Sequence, residues 1–390
     1  MQVDTLGIYV QIPFCVSKCS FCNFSSRVAR ESVFQGYCDA IRHEMEWLVR
    51  GHRTHDILVA LPVDTLYLGG GTPTILGKDL LQELFASLRR RFQFIESPEI
   101  TIEITPGSAD RGFLECLRCL GFNRLSIGAQ SFDDAELHSV GRLHSAAETS
   151  RQVSLARAAG FENVSLDLIG GLPHQTQDSW QHSLCFALDL EPEHVSVYLF
   201  EIDEKSRLGR EVIEHGRRYH AASVPDDDFM AWAYEAARKT LRKAGYAQYE
   251  ISNFARAGYE SRHNLKYWEL RPYLGLGAGA HSFDGMRRWS NEVSPEIYAQ
   301  KLGRDESPIA EARVLAEREQ LEEFFFLGLR QCRGVDLAVA TRRWGKAAVA
   351  RWSDTIARLE REGSIVRCDQ RLRIPEAAYL VSNEIFKDFV

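Results

Sequence analysis

Short apolar runs alternate with amphipathic stretches through the first half of the chain. LGIYVQI, VDTLYLGG, EITIEITP, NRLSIGAQ, NVSLDLIGG and HVSVYLFEI are short, rich in β-branched residues and bounded by turn formers, the pattern of strands. Between them stand ESVFQGYCDAIRHEMEWL, GKDLLQELFASLRRRF, ADRGFLECLRCLG, SAAETSRQVSLARAAG and TQDSWQHSLCFALDLE, whose apolar positions recur at helical spacing. Strands separated by helices predict parallel pairing, because parallel neighbours need a crossover connection. Right-handed crossovers curl such a sheet towards a barrel. The six units fall short of the number that closes a TIM barrel. The pattern predicts an α/β fold, an open, partial (β/α)6 TIM-like barrel over residues 1–204.

The pattern changes after that. Residues 205–311 carry an acidic turn (PDDD), the helix FMAWAYEAARKTLRKAG and a loop-like, aromatic-rich run from Tyr246 to Phe283. Long loops inside compact domains are functional or disordered, and the aromatic content argues against disorder. A third section, 312–390, opens with the helical LAEREQLEEFFFLGLRQ. Two short helices around 336–343 and 347–362, then SIVRC and RLRI, give the outline of a C-terminal helical, winged-helix-like domain. Residues 334–374 hold nine Lys/Arg against five Asp/Glu, which reads as a solvated face by default and a nucleic-acid surface as the alternative.

Composition narrows the function classes. A net charge of −7 over 390 residues argues against a bulk nucleic-acid binder. No apolar stretch approaches the ~20 residues that cross a bilayer. MQVDTLGIYV has no basic leader or cleavage site, so a cytoplasmic chain is expected. Disulfides are not expected in that reducing compartment. Cys116 and Cys119 lie in an amphipathic helix and read as packing, and Cys38, Cys185, Cys332 and Cys368 read as filler.

Cys15, Cys19 and Cys22 are different. They form C-x3-C-x2-C just behind the first strand, with no fourth cysteine nearby. A structural zinc site closes with four ligands, and a conventional iron–sulfur cluster also takes four thiolates. Three thiolates on a four-iron cube leave one iron open to an outside ligand. The competing reading is three small core residues, but Pro13, Lys18 and Ser20 break up any core run. The chemistry-bearing residues also gather at strand ends, where barrel sites form: the cysteine loop after the first strand, the Gly69–Pro73 turn after the second, then Glu103, Gln130 and Asp167. Further on, His263 is a plausible axial iron ligand with Tyr267 and Trp268 as flat apolar surface. On chemistry alone, a hydrogen-bonded loop histidine is the stronger reading there.

The cysteine spacing resembles the radical S-adenosylmethionine (SAM) superfamily. LYLGGGTPTIL, ITIEITPG, FNRLSIGAQSFDD, SVGRLHS and LDLIGGLPHQT resemble successive blocks of the branch that holds oxygen-independent coproporphyrinogen III oxidases and HemW-type haem chaperones. YEISNFARAGYESRHNLKYW and YLGLGAGAHSF resemble the HemW side. The resemblance implies a radical SAM barrel, a 4Fe-4S cluster on Cys15, Cys19 and Cys22, and SAM contacts from Tyr9, Phe21, Gly70, Gly71, Thr72, Glu103, Gln130, Arg142 and Asp167. Arg142 would pair with the SAM carboxylate, and the glycine turn would hold the ammonium and sugar through its carbonyls and amides. Phe14, Phe21 and Phe24 would keep water from the cluster. The resemblance further implies haem as cargo, with haem-accepting proteins as partners, and leaves a homodimer open. HNLKYW, His263 to Trp268, matches the HNxxYW motif linked with haem binding in that family. The oxidases carry a further cysteine where Phe24 stands, and a longer N-terminal segment, so the chaperone reading leads and porphyrinogen decarboxylation is the alternative. Gln11 and Asn23 stand where the branch often has His and Asp.

Overall fold

The computed structural model describes residues 5–50 and 56–390; the first four residues of the stretch read above for a leader lie outside them. The six expected strands form: β1 (Leu6–Ile12), β2 (Val63–Gly70), β3 (Phe94–Ile104), β4 (Arg124–Gln130), β5 (Val164–Gly170) and β6 (His194–Leu199). They pair in sequence order and in parallel. Residues alternate across the curl. Ile8 and Val10, Leu66 and Leu68, Ile100 and Ile102, Leu125 and Ile127 are fully or almost fully buried in the main apolar core. Polar residues of the same strands, including Tyr67, Glu103, Arg124, Ser126 and Asp167, line a central cavity. The barrel therefore has an apolar outside, covered by helices, and a polar lumen.

The covering helices start and stop where local chemistry dictates. Asp110 accepts from the Phe113 amide to cap Arg111–Leu120, which ends on Gly121 at φ +99°. Ser145 and Glu148 form a capping box on Ala146–Ala158, and Thr176 caps Gln177–Asp189. Cys38 is a buried core residue of α1 (Phe34–Trp47), while Cys119, Cys185 and Cys368 are exposed.

The aromatic run is not a loop. It folds as β7 (Ala247–Gln248), β8 (Asn253–Ala255), the helix α2 (Arg262–Trp268), β9 (Tyr273–Leu276) and β10 (His281–Phe283). β8 adds antiparallel to β6, and β9 pairs in parallel with the free edge of β1. β10, β11 (Arg287–Asn291) and β12 (Ile309–Val314) continue that edge, so twelve strands form one sheet. These strands are short and interrupted by GLGAG, which hides their periodicity. Buried Glu44 on α1 fastens the addition: it accepts from the Gly277 amide, the Asn291 side chain and the Tyr298 hydroxyl.

The C-terminal section has its own core around Leu321, Phe325, Leu359 and Phe389. Its three-stranded sheet orders Val335–Asp336, Arg371–Arg373 and Val366–Cys368. The second expected helix is two, Lys346–Ala350 and Ser353–Arg361, and a final helix Ser382–Lys387 follows. Much of the basic surface is internally paired: Arg358 with Asp388 and Glu362, Arg367 with Glu360, Arg371 with Asp336. Among the described residues no helix is long and apolar enough to cross a membrane.

Candidate functional site

β1 delivers the chain into the loop of Cys15, Cys19 and Cys22, and all three line one cavity of about 810 Å³ at the barrel mouth. Burial pushes the Cys15 thiol up, hydrogen bonds from Ser26 and Thr72 oppose it, and Cys22 and Cys19 act on it electrostatically. Arg142 directs Nη1 to Cys19 Sγ at 3.6 Å and Nη2 to the Gly128 carbonyl at 2.6 Å. Three neighbouring thiols on one wall, with a cation beside them, fit a cluster held by three thiolates. Among the described residues no group of three or more His, Cys, Asp or Glu side chains is placed to hold a single metal ion. The loop is held from outside: the Ser20 amide donates to Val140, Leu208 donates to the Ser20 carbonyl, and Lys18 Nζ donates to Ser26. Phe21 packs against the small buried cluster of Val140, Ile169, Leu172, Phe200, Leu208 and Ala221, and Phe14 is buried against Phe34 and Tyr37. Phe24 is different from the expectation: it is 66% exposed, so it does not keep water from the loop.

The glycine turn is built around this loop. The Gly71 amide donates to Ile12 O at 2.8 Å and the Thr72 amide to Phe14 O at 2.7 Å. A Cβ on Gly71 would sit 2.4 Å from the Phe14 carbonyl, which is why glycine is needed. Gly70, at φ +103°, donates its amide to Glu103. These three amides are therefore occupied within the protein and are not free to hold a ligand.

Glu103 accepts from Tyr67 Oη and Gly70 N, both at 3.0 Å. Burial raises its pKa from the usual carboxylate value to about 7, with the Asp167 charge adding to the shift. Asp167 accepts from Ser126 Oγ at 3.1 Å, and burial raises its pKa too. Gln130 ends β4 at φ +68°, a left-handed backbone that turns the chain at the rim. Phe21, Gly70, Gly71, Thr72, Glu103, Gln130, Arg142 and Asp167 all line the cavity with the thiols. Tyr9 does not line it but stacks on Tyr67, ring centroids 5.8 Å apart, one layer below.

His263, Tyr267 and Trp268 are placed elsewhere. Helix α2 closes the lumen from the amino-terminal ends of the strands. The Arg262 and His263 amides donate to Glu99, and Lys266 pairs with Asp64 at 2.6 Å. His263 is 1% exposed, with Nδ1 2.8 Å from Thr65 Oγ1 and Nε2 2.8 Å from Tyr267 Oη. Burial holds its pKa down at about 3, so the ring is neutral. The motif reaches the cavity through two other groups: Asn264 lines it, and Trp268 stacks under Arg330, which also lines it.

Several cavity residues were not expected. Arg124, His194, Ser196 and Tyr198 line its barrel side, and Arg330, Tyr379 and Asn383 bring the C-terminal section to it. The alternation Arg124, Ser126, Gly128, Gln130 along one face of β4 was a readable signal for Arg124. The C-terminal contributions had none, since they depend on how two cores meet.

A family model for the radical SAM superfamily matches residues 9–187, and a model for the HemN C-terminal domain matches 315–381. The Heme chaperone HemW of Bacillus subtilis is 32% identical over 98% of this chain and 98% of its own. That of Mycobacterium tuberculosis H37Rv is 34% identical over 90% of this chain and 88% of its own. That of Escherichia coli is 35% identical over 72% and 71%. The solved structure of coproporphyrinogen III oxidase (HemN) from Escherichia coli, a radical SAM enzyme, superimposes with a TM-score of 0.85, covering 99% of this chain and 90% of that one at 24% identity. Partial barrel, thiol trio and glycine turn thus define a radical SAM protein, a class that carries a 4Fe-4S cluster and SAM. Within that class the chain belongs to the HemW family, and it matches the Bacillus subtilis member almost from end to end.

Proposed function

We propose that this protein is a haem chaperone that holds a SAM-liganded 4Fe-4S cluster on Cys15, Cys19 and Cys22, binds haem and passes it to acceptor proteins. End-to-end similarity to the Heme chaperone HemW of Bacillus subtilis carries the reading. Phe24, at the rim where the oxidases have a further cysteine, favours it over porphyrinogen decarboxylation. The cluster, when bound, supplies an iron that SAM chelates through its amino acid end. Arg142, bonded to Cys19 Sγ, would offset charge at the thiolates and pair with the SAM carboxylate. Glu103, Gln130 and Asp167 offer acceptors to the amine and ribose hydroxyls. Iron ligation by His263 requires the Tyr267 hydroxyl to leave Nε2. Anaerobic reconstitution followed by haem titration, with and without SAM, tests the proposal. Saturable haem binding by the reconstituted chain is expected; product formation from coproporphyrinogen III without haem binding would transfer the assignment to the oxidase.

A further inference from the structure

Arg124 opens β4 and is 3% exposed. It points into the lumen and lines the cavity one pleat below Ser126, opposite Thr101. Its Nε and Nη1 are buried without a hydrogen-bond partner, and it forms no ion pair among the described residues. Its neighbours do not answer it. His194 has both ring nitrogens engaged, Nδ1 with Ser165 Oγ and Nε2 with Tyr249 Oη, each at 2.8 Å. Asp167 feels the Arg124 charge but is hydrogen-bonded to Ser126 and stands outside ion-pair distance. Arg330, at the same cavity, acts electrostatically on Glu250 as Arg124 does on Asp167, but its guanidinium also lies over the Trp268 ring, 4.6 Å from the centroid.

A buried guanidinium without a partner is strongly unfavourable, since the protonated form cannot be discharged and its hydration has been removed. Water satisfies the hydrogen bonds of such a group but not its charge. A guanidinium matches a carboxylate bidentately. We propose that Arg124 is the carboxylate receptor of the cavity, completed only when a ligand brings an anionic oxygen to it. Two ligands of this protein's proposed chemistry carry carboxylates: haem, through its propionates, and SAM, through its amino acid end. Arg142 already stands at the thiols, where the SAM carboxylate belongs, so the propionate is the matching source. This inference rests on the haem-binding reading for that source alone.

The test uses the reconstituted full chain, with Arg124→Gln and Arg124→Lys beside wild type. Haem and haem dimethyl ester, whose propionates are uncharged, are titrated separately, and SAM affinity is measured in parallel. Wild type is expected to prefer haem to the ester by about ten- to a hundredfold, the range of a charge-assisted contact. Arg124→Gln loses that preference, Arg124→Lys keeps part of it, and SAM affinity is unchanged. A loss of SAM affinity with haem unaffected keeps the receptor and assigns it to SAM. If the wild type binds no haem, the chaperone reading fails and the SAM measurement alone decides Arg124. Unchanged affinity for both ligands overturns the inference. So does a marked fall in the ligand-free melting temperature of Arg124→Gln with binding preserved, which would make Arg124 a structural residue.

Discussion

Two residues show how closely the cysteine loop and the cavity wall beside it are fitted. Gly71 lies where a Cβ would press on the Phe14 carbonyl at 2.4 Å. Gly71→Ala is expected to cost about 2 kcal/mol through overpacking and to lower iron content after reconstitution, measured by thermal unfolding and iron analysis. Glu103 carries a pH signature. Its folded pKa, raised to about 7, exceeds the unfolded value, so its contribution is fully present below the unfolded pKa and is lost as pH rises through 7. Glu103→Gln removes that loss while leaving an acceptor for Tyr67 and Gly70. The ligand-free variant should melt above wild type at pH 8, by an amount on the order of 2–3 kcal/mol, and the gap should close towards pH 5. A gap independent of pH would contradict the assignment. Glu103, Gln130 and Asp167 were legible in the sequence because strand ends in an α/β barrel point to one mouth. Arg124 was missed although it shares the period-two face of Gln130, because a lone basic residue at a strand start also reads as a solvated boundary.

At the scale of elements, α2 carries the motif proposed for haem and is also the lumen floor, so mutations there are expected to have two effects. His263→Ala leaves Thr65 and Tyr267 without their partner and opens a void. A loss of about 2–4 kcal/mol is expected in the ligand-free protein. Because the folded pKa of about 3 lies below the unfolded one, the stabilisation from the neutral ring is present above about pH 6.5 and is lost as pH falls towards 3. The variant should therefore show a flatter acid limb in thermal unfolding between pH 7 and 4. A haem titration of His263→Ala is interpretable only beside that measurement. The barrel strands and their helices were readable from alternating periodicities. The edge strands β7 to β10 were not, because two to four residues do not establish a period, and β8 and β9 join the barrel through strands far away in sequence.

On the scale of the whole molecule, the C-terminal section closes one side of the cavity, and its seam with the barrel side is electrostatic as well as apolar. Arg238, with a side chain 7% exposed, bonds Glu235 on its own helix and Glu376 from the C-terminal section, and Glu376 also reaches Arg242. Glu376 is half-exposed, so solvent screens the pairs and their joint worth is about 1 kcal/mol. Glu376→Ala should leave global melting within a few degrees yet speed amide hydrogen exchange across residues 376–387. Uniform exchange would place the closure in the apolar contacts alone.

The strand that delivers the thiols lies between β2 and β9, so one of its edges waits for a partner some 260 residues downstream. A nascent chain that has emerged only as far as β6 holds the thiols, the glycine turn and all six barrel strands. It lacks the α2 stopper and the β9 flank. A lumen built from those strands alone would be a tube accessible from both ends, and it would become a cup once α2 and β9 are added. Ribosome-stalled chains ending before and after residue 276 should differ in protease sensitivity at β1 for that reason.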